Sequence, residues 1–436
     1  MNAAVVSLVE NVVKLLHNFS FDAAKEALDD FRVSSVSLAP ADDAVLSLVQ
    51  CLSLLTSAEK GYASLAFLGP KGFLRKETGT RSVYNLIRAD LLKFSGEPIA
   101  LAMPEVHDRT VVCHLLRQLY AFVSARISLM NCYEKLTSFS TVRAINVEEI
   151  AGMVEHCLQH YAGMFHHPLI GPLQMAFTVE CEMLLYLLKC QDHLSTVRFT
   201  PSLAALREAQ YRLNGWTSEA GLVSPSSPIV SWFTFKQSPK QRSLPALLVW
   251  FQQFYGLLIS KFALYFYDVL SRQTSHKEFQ SYMAKLPFNY PLKIASFCRR
   301  YDASNFFVVV DATELRHGEW NGYKVPSFEQ TTTGLENFPI IYSYPLERPT
   351  YLLPSVVMIL AENFERLEIQ DRIWSSQDPK KEMTFFIARI EKSMFAVLVF
   401  KQLRSEKRPF IVQFVNELCC ELRCARLFQS LKSGGK

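Results

Sequence analysis

The apolar residues of this chain follow two different rhythms, and the change between them falls near Pro287 and Pro291. Before it, apolar residues recur three and four apart, the spacing that lines one face of a helix. Val5, Val9, Val12, Val13 and Leu16 set the pattern, and Phe21 to Phe31 continues it in a second short helix. Pro40, Asp42 and Asp43 open a third helix that runs apolar through Leu68, because proline and acidic residues favour a first turn. Further helices are expected over Ser82 to Phe94, His107 to Phe139, Val147 to Met164, Leu173 to Leu188 and 201 to 213. After a helix near Leu292 to Tyr301, the grammar becomes that of strands. FFVVV (306–310), FPIIYSYP (338–345), MTFFIARI (383–390) and MFAVLVF (394–400) are β-branched and aromatic runs of strand length. Glu391, Lys392 and Ser393 separate the last two by a hairpin's distance. Pro354 opens a helix through Val356, Val357, Leu360, Phe364 and Leu367, and Pro409 opens a terminal helix striped by Ile411, Phe414, Val415, Leu418, Leu422 and Ala425. The expected fold class is therefore α+β. An irregular all-helical bundle over 1–285 precedes a small C-terminal α/β domain over 286–436, whose sheet carries helices on one face.

With 436 residues, 49% of them apolar, the chain buries a full core without staples. Only 20 Pro and 16 Gly exclude collagen-like or largely disordered architecture. The formal charge of +5 divides as 25 basic against 24 acidic residues before position 281 and 21 against 17 after it, so neither part announces nucleic acid as a partner. The ten cysteines fall mostly in apolar helical runs without a CxxC pair, which predicts reduced, buried thiols in a cytosolic protein. MNAAVVSLVENVVKLL lacks the basic flank of a signal peptide and carries Glu10 within its apolar stretch. Leu247 to Leu270 is long enough to span a bilayer, but Gln252, Gln253, Ser260, Lys261 and Asp268 interrupt it. A lysine at midspan is costly in lipid, so the segment is expected to be a buried core helix and not a transmembrane one.

No constellation of catalytic type stands out. His156 and His160 share a helix face as a zinc pair would, but the order is EHxxxH and Cys157 occupies the place of the general base. Cys419, Cys420 and Cys424 have no partner pair nearby in sequence. Asp311 ends a hydrophobic strand, where open α/β sheets place Mg²⁺ ligands and phosphoryl acceptors; VVVDATEL superficially matches an aspartate phosphatase motif but has Thr313 in place of the second aspartate. A Mg-dependent phosphatase or hydrolase centred on Asp311 is thus an alternative lacking its general acid. No cofactor motif is present: Gly69-Pro70-Lys71-Gly72 is not a Walker A loop, and neither GxGxxG nor GxSxG occurs. Lys71, Arg75, Lys76 and Arg81 form a basic group that either is solvated or meets an anionic membrane surface.

The aromatic loops carry more information. Residues 314–337 join two strands through 24 residues, far beyond hairpin length, and contain Trp320, Tyr323 and Phe328. A second irregular stretch, about 214–245, holds Trp216, Trp232 and Phe233. Such side chains either pack back on their own domain or anchor a protein partner. The alternation around Phe385 to Val399 further suggests an edge strand that a partner, or a second copy through self-association, extends.

Three long strings, YDASNFFVVVDATELRHGEWNGYKVP, YLLPSVVMILAENFERLEIQDRIW and RPFIVQFVNELCCELRCARLFQSLKSG, resemble the family of small KICSTOR subunits, and the helical opening fits as well. That resemblance implies a non-enzymatic scaffold or adaptor in a lysosomal assembly. There a very large scaffold protein, kaptin and an FG-GAP repeat protein are the companion subunits. It also implies that the assembly tethers GATOR1 at the cytoplasmic face of the lysosome, restraining mTORC1 when amino acids or glucose are scarce. The C-terminal order of elements is similar to roadblock or longin modules, from which the 24-residue loop departs.

Overall fold

The structure, a computed structural model, describes residues 3–35, 43–69, 79–94, 104–138, 146–219, 244–313, 334–367, 373–403 and 409–433. The helical rhythm of the first part becomes α1 (Ala3–His17), α2 (Phe21–Ser35), α3 (Asp43–Ala63), α4 (Thr80–Leu92), α5 (Pro104–Ser138) and α6 (Val147–Tyr161). It continues through α7 (Gly171–Ser195), α8 (Phe199–Glu219), α9 (Ala246–Tyr265), α10 (Tyr267–Ser271), α11 (His276–Lys285) and α12 (Tyr290–Tyr301). Local chemistry sets several of these ends. The Asn146 side chain accepts the Glu149 N–H at the start of α6, and Ser275 with Glu278 closes a reciprocal capping box on α11. Asn289 caps α12, and Asp302 in a left-handed conformation (φ 60°) ends it. The irregular stretch expected from about 214 does not begin there, since α8 continues to Glu219; residues 220–243 lie outside the described residues.

The second part contains β1 (Asn305–Val310), β2 (Ile340–Tyr344), α13 (Leu353–Leu367), β3 (Trp374–Asp378), β4 (Met383–Glu391), β5 (Met394–Phe400), α14 (Pro409–Leu422) and α15 (Ala425–Ser430). The strands form one antiparallel sheet in the order β2-β1-β5-β4-β3, with Phe306 opposite Leu398 and Trp374 opposite Ile387. Among the described residues the chain is thus all-helical in its N-terminal region and mixed, with a small open sheet, in its C-terminal region.

Three expectations are corrected here. The sheet is covered on both faces, not one. Phe306, Val308, Val310, Ala396 and Leu398 pack into the cluster built by the helices of the first part with α14 and α15. Phe307, Val309, Phe385, Val397 and Val399 pack under α13, against Val356, Ile359 and Leu360. Successive strand residues point to opposite faces, so covering both produces the unbroken apolar runs of β1 and β5. The segment Phe385 to Val399 is not an edge: β4 and β5 lie inside the sheet, and β2 and β3 form its borders. The terminal helix is also interrupted, because Cys424 adopts φ 62° and turns the chain into α15.

The larger of the two core clusters runs from Val5 to Leu431 and joins the helical region to one face of the sheet. Trp250 on α9 donates its indole N–H to the Leu427 carbonyl (3.2 Å), Phe254 meets Phe428 at 5.4 Å, and Phe297 stacks on Phe414 at 3.8 Å. Helix α9 fulfils the length and apolarity of a membrane span, with mean hydropathy 1.3, but it is buried inside the protein. Lys261 in its C-terminal half is wholly buried and pairs with Glu391 Oε1 (2.5 Å) at the β4–β5 hairpin, while its ammonium also donates to Gln191 Oε1 of α7 (3.0 Å).

A second buried polar group holds the helices together. Arg126 on α5 donates to both Glu59 oxygens of α3 (3.0 Å each) and to Glu180 of α7 (2.5 Å). Tyr62 and Tyr133 donate to Glu180 (2.6 and 2.9 Å), and Tyr84 donates to Glu59 (2.7 Å). Burial opposes the Arg126 charge, yet the two carboxylates hold its pKa well above the ordinary value. Burial raises the pKa of Glu180 against the pull of Arg126 and the two phenols. Removing the cation strands two buried carboxylates, so Arg126→Met is expected to destabilise the protein by about 3–5 kcal/mol in denaturant titration.

Candidate interaction surfaces

The sequence points to several places where chemistry or binding could reside, and the structure treats them differently. Asp311 follows β1, but its sheet is antiparallel, so the strand-end crevice of a parallel α/β sheet does not form. Its carboxylate closes a turn, accepting from the Thr313 N–H (3.0 Å) and hydroxyl (2.6 Å), while its own N–H donates to Ser393 O (2.7 Å). His156 and His160 do share a face of α6, with rings stacked 5.8 Å apart, above a groove between α5 and α6 lined by Ser128, Cys132, Met153, Cys157 and Tyr161. Among the described residues no three His, Cys, Asp or Glu side chains converge as a metal site. The ten cysteines are free thiols and all but Cys420 are buried.

Arg81 is the one member of the basic group among the described residues; Lys71, Arg75 and Lys76 lie outside them. It sits in the first turn of α4 and pairs with Glu134 of α5 (2.9 Å), which offsets its charge. Of the aromatic anchors, Trp320, Tyr323, Phe328, Trp232 and Phe233 also lie outside the described residues. Trp216 does not belong to a loop surface. It is 2% exposed on α8, with its ring 5.6 Å from Phe19 and 6.5 Å from Phe251. Its position three residues after Leu213 extends the helical rhythm, a signal overshadowed by the proline- and serine-rich run that follows.

An exposed apolar strip was missed at the sequence level. Helix α13 turns Leu353, Val356, Ile359 and Leu360 onto the sheet and leaves Pro354, Met358 and Ala361 facing outward. Met358 is 58% exposed, and the connection leading into the helix adds Leu346 (60%) and Tyr351 (59%). A signal for it was present: the apolar residues of 353–361 exceed what one helix face can bury. These residues contribute little to the core, whereas Trp216 is part of it. Trp216→Ala should therefore cost about 3–5 kcal/mol in stability, read by chemical denaturation, as expected for an emptied aromatic site.

Comparison with known proteins places this architecture. The family described as KICSTOR complex C12orf66 like matches residues 3–436. KICSTOR subunit 2 of Danio rerio is 33% identical over 440 residues, covering 99% of this chain and 96% of the relative. KICSTOR subunit 2 of Xenopus laevis is 32% identical over 446 residues, covering 100% of this chain and 99% of the relative. With a match that extends through both the helical and the sheet-containing regions, the chain belongs to the KICSTOR complex C12orf66-like family.

Proposed function

We propose that the protein acts as a non-enzymatic scaffold subunit of KICSTOR and contributes shaped surface, not reactive groups, to nutrient control of mTORC1. The observation that carries this reading is the end-to-end family match. It is supported by the turn-closing role of Asp311 and by buried polar groups already consumed by one another. In this reading the partners are the large scaffold protein, kaptin and the FG-GAP repeat protein, and the assembly tethers GATOR1 at the cytoplasmic face of the lysosome. Holding large bodies together raises their effective concentration without any bond being altered.

The helical region over 1–285 and the sheet-containing region over 286–436 present different surfaces, which suits a subunit that bridges two chains. The antiparallel pair β1–β2, the helix α13, the three-strand meander β3–β5 and the closing helices support a relation to roadblock or longin modules. The outward strip of Leu346, Tyr351, Pro354 and Met358 is the surface we assign to a protein partner in this region, since desolvating exposed apolar side chains drives association.

Co-purification of the other KICSTOR subunits tests both points. Tyr351→Ala combined with Met358→Glu should weaken recovery of a partner by roughly thirtyfold in affinity, the scale of a hot-spot loss of about 2 kcal/mol, without lowering the melting temperature. Unchanged recovery of every subunit would remove α13 as the contact face. Failure of the wild-type chain to associate with any of them would remove the scaffold reading itself.

A further inference from the structure

Helix α5 meets the turn between α6 and α7 at a corner of histidines whose hydrogen bonds dictate their protonation. Gln118, buried on α5, accepts the backbone N–H groups of His166 (2.9 Å) and His167 (2.6 Å) on its Oε1. An amide oxygen committed to two donors leaves the NH₂ at the other end of the group. That Nε2 lies 2.7 Å from His114 Nε2, and an amide NH₂ only donates. His114 Nε2 must then be a bare acceptor, so the ring is neutral with its proton on Nδ1. His167 is constrained in the same way, because its Nδ1 accepts the Leu169 N–H (3.2 Å) at the start of the turn Pro168–Ile170.

The surroundings oppose any added proton. The rings of His114 and His167 lie 6.0 Å apart, and the other charge-bearing groups acting on them are Arg117 of α5 and His166 of the turn. On α1, which packs against the same turn, His17 Nδ1 contacts Pro172 O (3.1 Å). His166 is different: it is exposed, and its Nδ1 faces the Gly163 carbonyl (3.2 Å), a contact that a protonated ring also makes. Behind the corner, Phe165 is buried between Phe122 (5.7 Å) and Phe177 (5.5 Å), so displacement of the turn would disturb the core packing.

We infer that this corner is an acid-released latch: a proton on His114 Nε2 or His167 Nδ1 replaces an acceptor by a donor, and the turn 166–169 leaves α5. The direction of titration agrees. Burial, Arg117 and His166 hold His114 below its ordinary value of 6.5, and burial, His114 and His166 do the same to His167. The open form takes up protons at the ordinary value and the closed corner only below it. Closure is therefore complete above 6.5 and is lost progressively as the pH falls through the window beneath it.

Hydrogen–deuterium exchange of the full chain at pH 7.5 and 5.5, corrected for intrinsic rates, tests the latch. Peptides covering 164–170 should lose protection at the lower pH, by up to about tenfold for each histidine that the closed corner keeps unprotonated, the limit that an ordinary value of 6.5 sets over this interval, while peptides of α14 keep theirs. Gln118→Glu should suppress or reverse the loss, since a carboxylate accepts both backbone N–H groups and also an imidazolium N–H. Equal protection of 164–170 at both pH values in the wild type, or the same loss in a folded Gln118→Glu variant, would overturn the inference. Should that variant not fold, ¹⁵N-imidazole spectra of the wild type at neutral pH decide: His114 with a bare Nε2 supports the latch, and an Nε2–H tautomer refutes it.

Discussion

An ammonium group with no access to water can exist on a buried apolar helix only if another part of the molecule brings it a counter-charge. Lys261 is such a group, and Glu391 at the β4–β5 hairpin supplies the charge, with Gln191 of α7 bridging the two through its oxygen to Lys261 and its NH₂ to Glu391 (3.0 Å). Three elements distant in sequence are thereby held in a single register. The Cys424 thiol adds a contact to the same Gln191 oxygen (3.3 Å), at the point where the terminal helix breaks. Around this pin, α9 packs against helices of the first part, against α12, α14 and α15, and against β2. The apolar helix is thus the axle on which the helical and sheet regions are mounted.

The same kind of pairing recurs within the helical region. Its strongest charges face each other inside, as in Arg126 with Glu59 and Glu180. Burial also governs several thiols: Cys51 and Cys132 are pushed up to about 12, chiefly by desolvation. Groups with raised thiol pKa values are poor nucleophiles. On the scaffold reading proposed above, function falls to the outer surface that this core supports.

Much of the architecture was legible in the chain. Helical spacing located the main helices of the first part to within a turn or so at most ends, and β-branched runs located β1, β2, β4 and β5, because each buries enough apolar surface to leave a periodic mark. Strand β3 left no such mark: Trp374-Ser375-Ser376-Gln377-Asp378 is polar and borders the sheet, and its strand geometry comes from backbone pairing with β4. Helix α11 is short and largely exposed, with only Phe279 and Met283 buried. Among the candidate sites, the weakness of Asp311 was visible in the missing second aspartate. Its turn with Thr313 and the burial of Trp216 were not visible, since both depend on where neighbouring segments lie in space.

The amino-acid sequence by itself determined the class of the fold, the place where helices give way to strands, and the family, because periodicity and long similar strings are properties of the linear chain. Only the tertiary structure decided that both faces of the sheet are covered, which strands border it, and which polar residues meet inside. Those outcomes depend on contacts between residues such as Lys261 and Glu391, separated by 130 positions, whose encounter no local pattern encodes.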